Sequence, residues 1–257
     1  MRTSPYLKSR PGLPAEAYRF EAAGLRWLSE GEFGPRVPRI LDVEDDRLVL
    51  ETILTAPATA SAAKHFGRSL VHMHALGADS FGELPPGSER GFIASLDLPA
   101  GEWETFGSFY AQGRIRPFLD HAGLTSGDRA DLERLADVLE SESGACVGPR
   151  ERVARVHGDL WSGNVLWRKR DAVVIDPSAH GGHRLGDLAM LALFGAPWLE
   201  EIFEGYESEA EEVWPLWPGW RSSLGLHQIY PLLVHAVLFG GSYPAAAGRA
   251  ARTVLGD

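Results

Sequence analysis

Between Arg155 and Trp167 the chain reads Arg-Val-His-Gly-Asp-Leu-Trp-Ser-Gly-Asn-Val-Leu-Trp, and Val173-Val-Ile-Asp-Pro177 follows shortly after. Apolar runs broken by Gly, Ser and Asn predict a short strand, a tight polar loop, a second strand, a turn and a third strand that delivers a carboxylate. His157, Asp159 and Asn164 stand at the spacing H-x-D-x-x-x-x-N, the pattern of a phosphoryl-transfer catalytic loop. Such chemistry asks a protein for positioning and charge neutralisation more than for covalent help. In this reading Asp159 accepts the proton of the attacking hydroxyl. The amide oxygen of Asn164 and the carboxylate of Asp176 hold Mg2+, a cation that prefers oxygen ligands and keeps several waters. Taken singly, Gly-Asp and Ser-Gly-Asn are ordinary turn formers and Asp-Pro an ordinary strand exit. A loop that had only to turn has no need of a His, two acids and an Asn in this order.

The residues upstream extend the same reading. Tyr6 to Arg10 is a short strand cut off by Pro11-Gly12, and Leu13 to Ser29 is a helix with an apolar stripe at Tyr18, Leu25 and Leu28. Glu21 falls on that stripe, where an ionised carboxylate is costly unless paired, and Lys8 on the preceding strand is the obvious partner. Most Lys/Glu pairs are surface pairs of little consequence. Upstream of this loop, a strand lysine held by a helix glutamate instead matches the clamp on the α- and β-phosphates of ATP. Arg39–Val43 and Arg47–Thr52 form a hairpin around Glu44-Asp45-Asp46. By chain order alone, the backbone of Glu51, Thr52 and Ile53 falls where an adenine ring would be held; a plain edge strand is the alternative.

Downstream, Thr59 or Ser61 opens a helix that runs to Ala75 and stops at Gly77. Its His65, His72 and His74 are read as structural, since positions two apart on a helix do not face each other. Phe81 to Gly101 is a Gly/Pro-rich loop, followed by helices over Trp103–Ala122 and Ser126–Ser143, the latter capped by Thr125 or Ser126 and stopped by Gly144. Asp187 opens an apolar helix, capping it and bracing the catalytic loop. Helices over Trp198–Ser208, Trp220–Phe239 and Pro244–Leu255 complete the chain, and the Trp214–Trp220 cluster is read as core packing. The order predicts an α+β protein with a small strand-rich lobe over residues 1–54 and a large helical lobe over 55–257.

Composition narrows the surroundings. A formal net charge of -10 argues against a nucleic-acid partner. The single cysteine, Cys146, excludes an internal disulfide framework, fits a reducing cytoplasm, and is read as a small half-buried side chain after a helix. No charged start precedes an apolar core, and the near-apolar run from Leu188 to Leu199 is too short to span a bilayer. A cytoplasmic protein without a membrane partner, and a monomer, is the expectation.

His157-Gly-Asp-Leu-Trp-Ser-Gly-Asn164 resembles the signature of the fructosamine (ketosamine) kinases, a family near the aminoglycoside phosphotransferases with a protein-kinase-like two-lobed fold. Glu21-Ala-Ala-Gly-Leu25, Leu48-Val-Leu-Glu51, Gly182-His-Arg184, Asp187-Leu-Ala-Met190, Leu193-Phe-Gly195 and Phe239-Gly-Gly-Ser-Tyr243 match as well, so the resemblance covers nearly the whole chain. It implies Asp159 as base, with His157 and Asp187 supporting the loop. Asn164 and Asp176 would sit on magnesium, Lys8 with Glu21 at the ATP phosphates, and Glu51 to Ile53 at adenine. Trp161 would line the sugar site, joined by His235 and Tyr243 from the C-terminal helices. The implied reaction is ATP-dependent phosphorylation of the 3-hydroxyl of free or protein-bound ketosamines such as fructosamines and ribulosamines. Decay of the unstable product would free the amine, which amounts to deglycation. Two departures stand out. The family carries a strand, a glycine turn and another strand ahead of the lysine strand, and the residues before Lys8 do not supply them, so a small lobe lacking its first β-hairpin is expected. Leu185-Gly186 also replaces a polar or acidic residue before Asp187. Alternatives are an aminoglycoside- or choline-type phosphotransferase, or a lid-less nucleotide-binding pseudokinase.

Overall fold

A computed structural model of the chain describes residues 4–141 and 147–257. Near its start, β1 (Tyr6–Lys8) and β2 (Ile40–Val43) pair antiparallel with opposite edges of β3 (Leu48–Leu50), giving the order β1-β3-β2. Leu48 and Leu50 turn one face of β3 onto α1 (Ala15–Leu28), where they bury against Tyr18, Ala22 and Leu25. The helical stripe read from the sequence is thus the packed one, and Glu21 lies on it, buried. So small an apolar cluster cannot hold a domain alone, and the small body leans on the larger one. Arg155 of β6 (Ala154–Val156) donates to the carbonyls of Trp27 and Gly77 at 2.7 and 3.1 Å, pairs with Glu30 at 2.6 Å and lies over the Trp27 ring.

An extended segment leads from β3 to α2 (Ala60–Ala75), with the Ala56 N–H donating to the carbonyl of Trp167. Thr59, not Ser61, is the cap: its hydroxyl accepts from the Ala62 N–H at 3.2 Å. α2 packs on α6 (Leu199–Val213), burying Phe66, Leu70, Ile202, Phe203 and Tyr206 together. Two short antiparallel ladders sit between the helical layers: β6 with β9 (His180–Gly182), and β7 (Val165–Trp167) with β8 (Ala172–Val174). Strand, loop, strand, turn and strand therefore follow the order expected of the motif.

Elsewhere the structure corrects the sequence reading. The supposed loop over Phe81–Gly101 holds a hairpin, β4 (Gly91–Ile93) with β5 (Leu96–Leu98), which turns through Ala94 at φ 53°. The helix expected over Trp103–Ala122 is broken into α3 (Phe106–Phe109), a π-helical stretch over Tyr110–Ile115 and a 3-10 turn over Arg116–Phe118. Pro117 accounts for part of this, because it has no N–H to continue an α-helix. α4 (Ser126–Glu140) is capped by Thr125 and ends before the expected Ser143; Ser143, the Gly144 stop and Cys146 lie outside the described residues.

α5 (Leu185–Leu193) follows β9, and the run Trp220–Phe239 divides into a 3-10 turn over Trp220–Ser223, α7 (Leu224–His227) and α8 (Ile229–Phe239) before α9 (Tyr243–Leu255). At 20 residues and a mean hydropathy of 1.2, Trp220–Phe239 has the length and composition of a bilayer-crossing helix, yet half of its most apolar stretch is buried inside the fold. Ile229, Leu233 and Val234 belong to the core there, and α8 packs against α9 and the π-helical stretch. The tryptophan cluster is packing as expected: Trp220 meets Phe203 edge-on, and Trp214 stacks under the buried guanidinium of Arg184 at 4.2 Å.

Candidate active site

β6 feeds straight into the polar loop, and a buried carboxylate from α5 fixes the loop's backbone. Asp187 accepts the N–H groups of His157 and Gly158 at 2.8 and 2.9 Å, and His74 Nε2 donates to it at 3.1 Å. Burial alone would raise the Asp187 carboxyl; these hydrogen bonds and the nearby imidazoles hold it below its usual range instead. It braces the loop as the sequence suggested, but makes no cap to its own helix. Gly158 is required here: its φ is +78°, and a Cβ would lie 2.2 Å from the carbonyl of Ser178. His157 donates from Nε2 to the carbonyl of Ile175 at 2.9 Å, which leaves Nδ1 to accept the Asp159 N–H at 3.3 Å. One imidazole thereby ties the loop to the segment that carries Asp176.

Asn164 donates its amide nitrogen twice to Asp159, to the backbone carbonyl at 2.8 Å and to Oδ2 at 2.9 Å. Its amide oxygen is left for another partner. Burial raises Asp159 to about 6, partly offset by the hydrogen bond from Asn164 and reinforced by the charge of Asp176. Asp176 sits just past β8 in the left-handed region at φ 56°, uncommon for a non-glycine residue and a conformation that concentrates at functional positions. Its carboxylate meets Lys8 Nζ at 2.9 Å and Arg10 at 3.6 Å. Lys8 reaches Glu21 at 2.5 Å on its other side, the pairing anticipated from the acid on a buried stripe. Burial, opposed by Lys8, pushes Glu21 up, and its second oxygen has no partner.

Lys8, Arg10, Glu21, Asp159, Asn164 and Asp176 all line one cleft of about 940 Å³, counting space open to solvent, which is ample for a small ligand. Trp161 forms part of its wall, 41% exposed, with its ring folded over Gly163 so closely that a Cβ there would lie 2.2 Å away. The Trp-Ser-Gly stretch is therefore one unit. His235 also lines the cleft and donates from Nδ1 to the carbonyl of Pro231, leaving Nε2 as an acceptor; burial lowers its pKa. Tyr243 does not line this cleft: α9 sets it against the His235 ring, with centroids 5.0 Å apart.

Glu51, Thr52 and Ile53 are likewise not among the cleft's lining residues. The Glu51 N–H is already donated to the carbonyl of Arg39, and the Thr52 hydroxyl to that of Ser4. Two contributors to the cleft escaped the sequence reading. Arg10 stands two residues after Lys8 in an extended segment, a spacing that puts both cations on one face. The β4–β5 turn brings Phe92, Ile93 and Ala94 into the wall, and strands of three residues leave almost no periodic signal. Two of the three histidines of α2 bear out the structural reading: His72 pairs with Glu209, and His74 with Asp187 and Tyr206. Among the described residues no group of three or more His, Cys, Asp or Glu is placed to enclose a metal.

A protein-family profile described as fructosamine kinase matches residues 3–257. A Thermus thermophilus protein assigned as a ketoamine kinase is 31% identical over 244 residues, covering 95% of this chain and 85% of that one. A Thermobifida fusca crystal structure assigned as a fructosamine-3-kinase superposes with a TM-score of 0.89 at 41% identity, covering 98% of this chain and 86% of that one. A thermostable mutant of an aminoglycoside phosphotransferase, solved with ADP and hygromycin B, has a TM-score of 0.60 at 17% identity over 97% of this chain and 84% of its own, a likeness of fold alone. The fold is accordingly α+β, two-lobed and protein-kinase-like, and the chain belongs to the fructosamine kinase family of phosphotransferases.

Proposed function

We propose that this chain transfers the γ-phosphoryl group of ATP to the 3-hydroxyl of a ketosamine, with a small strand-rich lobe (residues 1–54) and a helical lobe (55–257) meeting at the cleft. The observation that carries the reading is Asp159, raised to about 6 and hydrogen-bonded by Asn164, in one cleft with Asp176 and two cations. At neutral pH such a carboxyl is mostly ionised yet still basic enough to take a proton, close to the optimum for a general base.

The acceptor hydroxyl gives its proton to Asp159 as its oxygen bonds to the γ-phosphorus, and the bond from that phosphorus to the bridging oxygen breaks, releasing ADP. Lys8, oriented by Glu21, neutralises charge on the phosphates, and Arg10 lies beside it. The amide oxygen of Asn164 and the carboxylate of Asp176 are hard oxygen donors that suit Mg2+, which is usually held by one or two carboxylates and the phosphates rather than by a protein cage. Bound there, the ion would neutralise charge developing on the phosphate oxygens. Adenine is assigned to the extended backbone at Glu51 to Ile53, with the free N–H and carbonyl groups after the committed Glu51 N–H as its partners. Trp161 offers an apolar face to the sugar, and His235 Nε2 an acceptor for one of its hydroxyls; Tyr243 acts by seating His235. Either a free or a protein-bound ketosamine fits this chemistry, and decay of the phosphorylated product would return the amine.

The test is ADP release from magnesium-ATP in the presence of ribulosamine, fructosamine, aminoglycoside or choline acceptors. Turnover with a ketosamine, lost in Asp159→Asn, supports the proposal. Turnover only with an aminoglycoside or choline, or nucleotide binding without turnover, overturns it.

A further inference from the structure

A second chamber lies behind the catalytic loop, with Gly158 and Asp187 in its wall and a cavity volume of about 50 Å³. It adjoins the active-site cleft, since Ile93 and Val234 line both. Its polar groups are unusual. Arg114, on the π-helical stretch, is 1% exposed, and only its Nη1 is used, donating to the carbonyls of Pro99 and Gly113. Its Nε and Nη2 have no partner, nor does the hydroxyl of Tyr230 or Nε2 of His227, and all three side chains line this chamber.

A buried guanidinium without a counter-charge is expensive. The rings of Phe109 and Tyr230, 4.4 and 5.1 Å from its Cζ, offset part of that cost but accept none of its hydrogen bonds. No carboxylate among the described residues pairs with it. Asp187 is committed to two backbone N–H groups and His74, and His183, whose Nδ1 accepts the Leu185 N–H, turns Nε2 toward Glu151 at 3.5 Å. Burial holds His180 and His227 at about 3, so both are neutral and Arg114 is the cation of the chamber. Water would satisfy the free donors but not the charge.

We propose that the chamber binds a small carboxylate, held by Nε and Nη2 of Arg114, the hydroxyl of Tyr230 and Nε2 of His227. The carboxylate comes from one of two sources: a free monocarboxylate, or the carboxylate of an amino-acid ketosamine reaching in from the cleft. The second source rests on the ketosamine reading above. Tyr230→Phe removes one hydroxyl that has no protein partner, so the variant keeps its fold.

The first arm of the test is thermal denaturation of both proteins at constant ionic strength, titrated with sodium formate, and reads no activity. A saturable rise in midpoint for wild type, with the half-saturating concentration about tenfold higher in Tyr230→Phe, supports the free carboxylate; one lost hydrogen bond is worth about that factor. The second arm compares KM for a ketosamine of an α-amino acid with KM for its carboxamide. A rise of about tenfold in Tyr230→Phe for the acid alone, at unchanged kcat, supports the substrate carboxylate. No formate response, or an equal one in both proteins, together with no acid-specific KM change, overturns the proposal. Turnover of the carboxamide reports on the kinase reading separately, and if neither ketosamine turns over the formate arm decides alone.

Discussion

Replacing Asp159 by Asn should make the protein more stable while abolishing its activity, with a pH dependence that reports the cause. Burial raises this carboxyl from the ordinary aspartate value of about 3.9 to about 6. A group whose folded pKa exceeds its unfolded value stabilises the fold below the unfolded pKa and loses that contribution as pH rises through the folded one. Ionisation of Asp159 therefore destabilises the native state progressively between about pH 4 and pH 6, by about 3 kcal/mol at the plateau for a shift of roughly two units. Asn is neutral throughout and can still accept the Asn164 amide through its oxygen. The variant should match wild type near pH 4 and exceed it above pH 7, by up to about 3 kcal/mol or roughly 6–12 °C in Tm. Thermal or urea denaturation of both proteins across this range measures the difference. A variant less stable than wild type at pH 8, or a difference independent of pH, would refute the reasoning.

Other consequences are open to the same kind of measurement. The acid limb of kcat/KM should fall about tenfold per pH unit below an apparent pKa near 6, because the base must be ionised in the free enzyme; a flat profile down to pH 5 would remove Asp159 from that role. Lys8→Met should raise KM for ATP and cost about 3–5 kcal/mol by stranding Glu21. Adding Glu21→Gln should restore stability but not activity, and independent effects in the double mutant would argue against the pair. Asp187→Asn should cost about 1–3 kcal/mol and lower kcat more than KM, since an amide cannot accept at every oxygen that now serves the loop. Thr59→Ala should cost about 1 kcal/mol as the lost cap of α2 and leave kinetics unchanged.

Local chemistry made the catalytic loop readable in the sequence. His157, Asp159 and Asn164 lie within eight residues, and their hydrogen bonds to one another follow from that spacing. Lys8 and Glu21 were legible for a different reason, because an acid on a buried stripe demands a partner and few are near. Arg114 left no such signal: it sits in a segment that reads as regular helix, and its burial on the π-helical stretch has no mark in the sequence. The β4–β5 hairpin was hidden by its shortness. Glu51 shows a limit of chain order, which picks out a segment but not which of its N–H groups strand pairing has already consumed. For Tyr243, helix phase decides, and α9 turns it onto His235 instead of into the cleft.

The most direct test of the central claim is the position of the transferred phosphate. Phosphorus-31 and proton NMR of a reaction containing the protein, magnesium-ATP and a fructosamine should show a phosphomonoester coupled to the proton on sugar carbon 3, absent with Asp159→Asn, followed by slow appearance of the free amine. A phosphate on any other hydroxyl, or inorganic phosphate with the sugar unchanged, would contradict it.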